Sequence, residues 1–381
     1  MSDRFDVAVI GLGAIGSAVA LELARRGRRV VGFDAHSIPN VMGSHHGGTR
    51  VIRLAYGEHP DYVPLLRRAF NGWRQLEDAL SEPIMQLTGG LYMGPPDGPF
   101  VTGVQRTVAA HGLAHELLDA ETLARRFPQI QPPAGTIGVL ERQAGALSCE
   151  RIVAGQARLA MTAGAVLHGH CPVTDWSDDG DGISVQTAAG TFVADRLVVT
   201  GGAWSGQLLA DLGLPLTVTR QLFGWFQPRR AARFGPNTLP IWGLEHVGGG
   251  FEYGFPTMPD RPGVKYGHHM PGPASDPDTL DRRPGPADAA HLRAMIERHA
   301  PDAAGPLLSM AACPYTNSPD GHFIVDHVPG SERVVFAAGF SGHGFKFAPV
   351  MGETLADLAM DGGTDLPVGF LGLSRFDDDG P

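Results

Sequence analysis

A thiol and a glycine-flanked cation stand near one end of this chain, and a phosphate-cradling loop stands near the other. The thiol is Cys313, in Cys313-Pro314-Tyr315, and the cation is Lys346, closing Gly339-Phe340-Ser341-Gly342-His343-Gly344-Phe345-Lys346. The loop is Gly11-Leu12-Gly13-Ala14-Ile15-Gly16. A thiolate is a nucleophile, and glycines let the backbone approach a ligand closely. Joined to a nucleotide fold, these groups point to a redox enzyme that holds a flavin, with covalent attachment open to it.

The glycine pattern carries meaning only between a strand and a helix. Here Asp6 to Ile10 is a short apolar run, Ala14 to Arg26 is apolar at helical spacing until Gly27, and Arg29 to Phe33 reads as a second strand ending at Asp34. Gly11, Gly13 and Gly16 then allow a tight turn with pyrophosphate on the helix N-terminus, and Asp34 can accept hydrogen bonds from a ribose diol.

Two arginines and two histidines crowd Gly43-Ser44-His45-His46-Gly47-Gly48-Thr49-Arg50-Val51-Ile52-Arg53. If Thr49 starts a helix, Arg50 and Arg53 share a face and can grip one anion. The plain alternative is a solvated loop with incidental charges. Adjacent histidines point in different directions and no cysteine or carboxylate stands at ligand spacing, so no metal site is expected. Cys313 has its own plain alternative, a buried apolar side chain. Lys265, His268, His269 and Lys346 would lower its pKa if the fold brought them near.

The elements that must position these groups are legible in outline. Arg196 to Thr200 ends at Gly201-Gly202 and Val334 to Ala338 ends at Gly339, so with the first strand they read as a parallel sheet whose strands end in glycine at a ligand. Gly182 to Thr187 and Gly190 to Ala194 alternate like an antiparallel hairpin, Gly248 to Gly254 reads as strand and turn, and Pro259 to Pro286 reads as connecting loops. No repeat of fixed period is present.

At 381 residues the chain suits two domains. With 43% hydrophobic and 18% charged residues it has a globular composition, and no apolar run is long enough to span a bilayer. A net charge of -10 disfavours nucleic acid, and the run Asp377-Asp378-Asp379 reads as a solvated tail. Three cysteines, Cys149, Cys171 and Cys313, make no disulfide framework, and the N-terminus shows no signal peptide; both read as a cytoplasmic protein.

Taken together, Gly43 to Arg53, Ala55-Tyr56-Gly57-Glu58, Lys265 with His269, Cys313-Pro314-Tyr315 and Gly339 to Phe347 make the chain similar, over almost its whole length, to the monomeric sarcosine oxidase and N-methyltryptophan oxidase family of the D-amino-acid oxidase-like group. The resemblance implies FAD linked through a ring methyl group to Cys313, and a monomer acting on a small amine and dioxygen. It implies that Arg53 and Lys346 hold the substrate carboxylate, that Lys265 activates oxygen, and that Arg50 lies beside the flavin ring. Tyr253 and His269 would line the substrate pocket, and His46 would stand near the attachment region. Ser44, His46, Val173, Gly342, Gly344 and Lys346 join Gly11, Gly13, Gly16, Asp34 and Cys313 as expected cofactor contacts. Gly48 and Leu54 stand where the family loop carries an aspartate and a histidine, and Pro314 also departs from its pattern. Cys171-Pro172-Val173-Thr174, Asn317 to Asp320 and Leu373 to Phe376 resemble the N-methyltryptophan branch.

The expected fold is therefore α/β with an α+β second domain: a Rossmann-like FAD-binding domain from residues 1–88, 147–216 and 317–381, and an antiparallel-sheet substrate domain from 89–146 and 217–316. The expected reaction is oxidation of an N-methyl amino acid to the primary amino acid, formaldehyde and hydrogen peroxide. Cyclic imino acids and fructosyl amino acids are alternative substrates. The glycine fingerprint alone would also admit a nicotinamide-dependent dehydrogenase, which leaves Cys313 and Lys346 without roles, and a flavin-binding protein without turnover is the non-catalytic reading.

Overall fold

The computed structural model describes residues 4–269 and 272–377; Asp378 and Asp379 of the acidic tail lie outside them. Its strands form two eight-stranded sheets and one three-stranded sheet. In the first, Arg4–Ile10 is flanked in parallel by Val30–Phe33 and by Gly190–Val199, and Val334–Ala338 pairs in parallel with Gly190–Val199. Val7 to Ile10 and Leu197 to Val199 are buried throughout, as strands covered on both faces must be. The helix Ala14–Arg25 packs over this sheet and stops at Gly27, whose φ of +74° suits glycine.

Gly16 shows how closely that helix lies on its strand. A Cβ there would overlap the carbonyl oxygen of Gly11 and crowd Thr200 Oγ1. Gly16→Ala is expected to lower stability by about 1–3 kcal/mol through overpacking, read as a fall in the thermal midpoint; an unchanged midpoint would show that the helix can move aside.

Two expectations are corrected here. The hairpin arm Gly190 to Ala194 and the strand Arg196 to Thr200 are one continuous strand, Gly190–Val199. Ile183–Thr187 covers the first half of one edge and Val334–Ala338 covers the rest, so the antiparallel hairpin belongs to the parallel sheet. Thr49–Ile52 is a strand in the three-stranded sheet with Gly145–Ser148 and Met85–Leu87, not the start of a helix. Its β-branched Thr49, Val51 and Ile52 favour that choice. Arg50 and Arg53 therefore do not share a helical face.

The second large sheet runs in the order Leu307–Asn317, Thr217–Phe226, Val264–His268, Gly250–Phe255, Ile241–His246, Gly90–Gly94, Ile137–Glu141 and His115–Leu118. Its neighbours are antiparallel except Ile241–His246 with Gly90–Gly94, which run parallel. Val264–His268 interrupts the stretch expected to be loops from Pro259 to Pro286. Proline and glycine on both sides hid it, while strands on each edge supply its hydrogen bonds. Side chains alternate between faces along a strand: Lys265 and Tyr253 line a cavity on one side, while Tyr266 and Trp242 share a core with Leu292 and Ile296 of the helix Pro286–His299 on the other.

No helix among the described residues is long and apolar enough to cross a membrane. Cys149, Cys171 and Cys313 are all free and buried.

Candidate active site

A cavity of about 1310 Å³ joins the two large sheets, lined at one end by Gly11, Gly13 and Asp34 and at the other by Arg53, Lys265 and Lys346. At the first end, no side chain caps the helix that begins at Ala14. Its first N–H groups are thus open to an anion, and Gly13, Ala14 and Ile15 line the cavity there. Gly11 holds φ at +87°, and a Cβ on it would overlap the Thr200 carbonyl oxygen. Asp34 accepts from Leu12 N at 3.0 Å and His36 N at 2.9 Å. Burial raises its pKa while those amides pull it down, and it lines the cavity together with Val173, Gly201 and Gly339. Gly16 does not line the cavity; its role is the close helix–strand packing described above.

The loop Gly43 to Thr49 is tied to the strand that carries Cys313. Ser44 Oγ donates to Pro314 O at 2.7 Å, and His46 Nε2 lies 3.2 Å from Ala312 O, so the loop clasps the strand on either side of the cysteine. Glu150, in the first turn of the helix Cys149–Thr162, accepts from Gly47 N at 2.7 Å and Gly48 N at 3.1 Å and holds the loop's far end. Burial and the nearby Arg50 lower the His46 pKa to about 4, leaving the ring neutral.

Cys313 packs with Phe223, Trp225 and Tyr315 and is 1% exposed. Burial raises its pKa; Arg50 and Lys265 oppose the rise without overcoming it. The expected net lowering of the thiol pKa is thus corrected: of the groups expected to act, Lys265 does so, Arg50 joins it unforeseen, and desolvation outweighs both. Gly342, at φ +76°, has no room for a Cβ because the Tyr315 ring fills the space, and Gly344 is held in the same way by Phe340. Both line the cavity.

Lys265 stands in an aromatic box. Its Nζ lies 4.6 Å from the Phe223 ring centre, 5.2 Å from Phe255 and 5.7 Å from Trp225. It donates to Gly47 O at 2.9 Å and Thr49 O at 2.8 Å. Burial, with Arg50 next in weight, drives its pKa well below the ordinary lysine value. Arg50 donates to Ser44 O at 2.6 Å and Thr49 O at 2.9 Å, with its guanidinium 5.7 Å from the Phe223 ring centre. One face of the cavity is thereby lined by the buried Lys265 and the partly buried Arg50, whose partners are neutral carbonyls and π faces.

The carboxylate end differs from expectation. Arg53 is not free: Nη2 donates to both oxygens of Glu58, at 2.6 and 2.7 Å. Nη1 makes only a 3.4 Å bond to Ala55 O, and the guanidinium lies 4.5 Å from the Tyr56 ring centre and 5.2 Å from Phe100. Burial would raise the Glu58 pKa, but Arg53 holds it down at about 2. Lys346 Nζ donates to His343 O at 2.7 Å, and burial together with Arg53 lowers its pKa to about 7. His269 Nδ1 lies 3.0 Å from Tyr315 Oη, and burial lowers its pKa to about 4. Burial raises the Tyr253 hydroxyl well above its ordinary value.

Glu58, Glu141 and Glu150 were given no role by the sequence. Glu141 accepts from Leu54 N at 2.9 Å, Ala55 N at 3.1 Å and Tyr92 Oη at 3.2 Å, which sets the turn that aims Arg53. Glu58 closes the quoted Ala55-Tyr56-Gly57-Glu58 stretch, five residues past Arg53, and that spacing was the available signal. The partners of the other two lie far away in sequence. Glu58→Gln is expected to lower KM for a carboxylate substrate severalfold by releasing Arg53, and to lower the thermal midpoint because a buried guanidinium loses its counter-charge. A raised KM would instead show that Glu58 is needed to position Arg53.

A family model for FAD dependent oxidoreductases matches residues 6–358. The monomeric sarcosine oxidase of Streptomyces avermitilis is 41% identical over 379 residues, covering 98% of each chain. That of Bacillus sp. strain NS-129 is 39% identical over 380 residues, again with 98% of each covered. The N-methyl-L-tryptophan oxidase of Salmonella arizonae is 37% identical over 377 residues, covering 98% of this chain and 99% of its own. Among solved structures, the open form of NikD, an unusual amino acid oxidase essential for nikkomycin biosynthesis, has a TM-score of 0.86 at 26% identity, covering 97% of this chain and 98% of its own. Glycine oxidase from Geobacillus kaustophilus shares the fold, with a TM-score of 0.80 at 22% identity over 98% of this chain and 99% of its own.

FAD fits what is present: an uncapped helix N-terminus, an adjoining carboxylate and glycines without room for side chains open on a cavity that continues to the buried cations. This chain belongs to the FAD-dependent oxidoreductase family, in the group of the monomeric sarcosine oxidases and N-methyl-L-tryptophan oxidases, and FAD is its cofactor.

Proposed function

We propose that the chain oxidises the N-methyl group of a secondary amino acid, consuming one dioxygen and one water and releasing the primary amino acid, formaldehyde and hydrogen peroxide. The observation that carries this is a single cavity joining the nucleotide-type loop to two buried cations, Arg53 and Lys346, with Lys265 also on its wall. FAD supplies the two-electron acceptor and the route of those electrons to dioxygen. Arg53, through Nη1, and Lys346 hold the substrate carboxylate and so fix which carbon–hydrogen bond meets the cofactor. A pocket that is already cationic disfavours an ammonium group and selects the neutral amine. The neutral His269 ring and the Tyr253 hydroxyl border the amine and offer it hydrogen bonds. Lys265 and Arg50 present positive charge where electron transfer to dioxygen builds negative charge.

In the same reading, Gly11, Gly13, Asp34, Ser44 and Val173 hold the dinucleotide. Cys313 carries a thioether to the cofactor, supported by the clasp of Ser44 and His46 around it. Residues 1–88, 147–216 and 317–381 form the FAD-binding domain and 89–146 with 217–316 the substrate domain, a division supported by the way the strands of the two large sheets fall along the chain. A monomer is supported by the relatives named monomeric. A cytoplasmic place is supported by three unpaired thiols.

Peroxide release from matched concentrations of sarcosine and N-methyl-L-tryptophan tests the assignment. Turnover of either supports it, and the larger kcat/KM names the side chain; no peroxide from either, with peroxide from a cyclic imino acid or a fructosyl amino acid, would replace it. A pH dependence follows from Lys346. With a pKa of about 7 in the free site, it is charged below that value and neutral above it. Affinity for a simple carboxylate such as propionate is therefore expected to be level between about pH 5, where the ligand itself ionises, and pH 7, and to weaken by up to about tenfold per pH unit above that. Titration by flavin absorbance measures this, and Lys346→Met should flatten the profile.

A further inference from the structure

Three ligand-type side chains converge on the reverse of the sheet that carries Tyr253 and Lys265. Leu244 lies opposite Glu252 and His246 opposite Gly250, so His246 and Glu252 are diagonal neighbours on one face. His299, the last residue of the helix Pro286–His299, meets the same face. His299 Nδ1 lies 2.9 Å from Glu252 Oε2, and His246 Nε2 lies 3.1 Å from Oε1. The ligand atoms of the three all lie within 4.8 Å of one another, the one such grouping among the described residues. The Tyr266 hydroxyl donates to Glu252 Oε2. His246 Nε2 is buried and makes no hydrogen bond, because its approach to Oε1 lacks hydrogen-bond geometry.

We propose that His246 Nε2, the Glu252 carboxylate and His299 Nδ1 form a binding site for a divalent transition-metal ion of the zinc type. Two imidazoles and one carboxylate are zinc donors, whereas magnesium and calcium take oxygen. Zinc bonds of about 2.0–2.2 Å in a tetrahedron separate the ligand atoms by roughly 3.3–3.6 Å; the contacts of the two imidazoles to the two carboxylate oxygens, 2.9 and 3.1 Å, fall just below that spacing, and the 4.8 Å that bounds all three ligand atoms lies above it. His246, 22% exposed, is the most exposed of the three ligands, and water takes the fourth position. Tyr266 is the outer support that fixes the carboxylate. The negative end of the helix dipole at His299 favours a cation there as well. The site takes no part in the oxidation. It ties the helix to the back of the strand that presents Tyr253, one residue from Glu252, and it stands whether or not the proposed substrate is right.

The test uses the flavin-loaded protein, stripped with a chelator, incubated with zinc chloride and passed through a desalting column. One zinc per chain and a raised thermal midpoint are expected. Glu252→Gln and His246→Gln are expected to retain none and to lose the rise while keeping their flavin. Tyr266→Phe keeps every ligand and is expected to bind zinc about 10-fold more weakly, which serves if a ligand variant fails to fold. Wild-type protein that retains no zinc would overturn the site. So would flavin-loaded ligand variants that retain as much as the wild type, or, where those do not fold, a Tyr266→Phe protein of unchanged affinity.

Discussion

Lys265→Met is expected to slow the consumption of dioxygen by about 10²–10³-fold, the usual effect of removing one preorganised electrostatic donor from a dry site, while leaving the oxidation of substrate within a fewfold of wild type. The split follows from where the ammonium stands. It is boxed by Phe223, Phe255 and Trp225 and held by the carbonyls of Gly47 and Thr49, whereas the two groups proposed to hold the carboxylate, Arg53 and Lys346, are tied to Glu58 and to the His343 carbonyl. Methionine fills the same box without a charge, so the fold has little to lose. Separate rapid-mixing measurements of the two half-reactions decide the matter. Equal slowing of both would mean that Lys265 positions substrate, and no slowing would remove it from the reaction. Because desolvation lowers its pKa, the effect should also grow as pH falls and more of the wild-type lysine is protonated; a pH-independent ratio of wild type to variant would count against charge as the cause.

Cys313→Ala is expected to remove covalent flavin entirely. A denaturing gel of the wild-type protein should show flavin fluorescence in the protein band, and the variant band should be dark. The thiol is buried, with a pKa raised by desolvation and opposed by Arg50 and Lys265. The proposed attachment therefore calls on those two cations, and Arg50→Met should slow or abolish it even though the cysteine is intact. The variant should still fold: Cys313 sits in a small aromatic cluster, and loss of one sulfur there costs about 1–2 kcal/mol. A dark wild-type band would refute the linkage, and a fluorescent Cys313→Ala band would move it to another residue.

Sequence by itself determined the nucleotide half of this protein and its reaction class. Strand, glycine loop, helix, strand and Asp34 lie within one contiguous stretch, and each signal is local: period two, period 3.6, a turn only glycine can make. The later glycine loops and Cys313-Pro314-Tyr315 added a family pattern that long-range geometry is not needed to see.

Tertiary structure alone decided what those groups do to one another. Lys265 meets Gly47 across 218 positions and Ser44 meets Pro314 across 270, so no window along the chain holds both partners. Whether the Cys313 pKa falls or rises is a contest between burial and two distant cations, and composition does not weigh the terms. Arg50 lies in a strand and Arg53 just past its end, not on one helical face, because Gly145–Ser148 pairs with Thr49–Ile52. Val264–His268 was hidden by its proline-rich flanks and made a strand by neighbours on both edges. The His246, Glu252 and His299 grouping arises in the same way: sheet register and the end of one helix bring together three residues that are scattered in the chain.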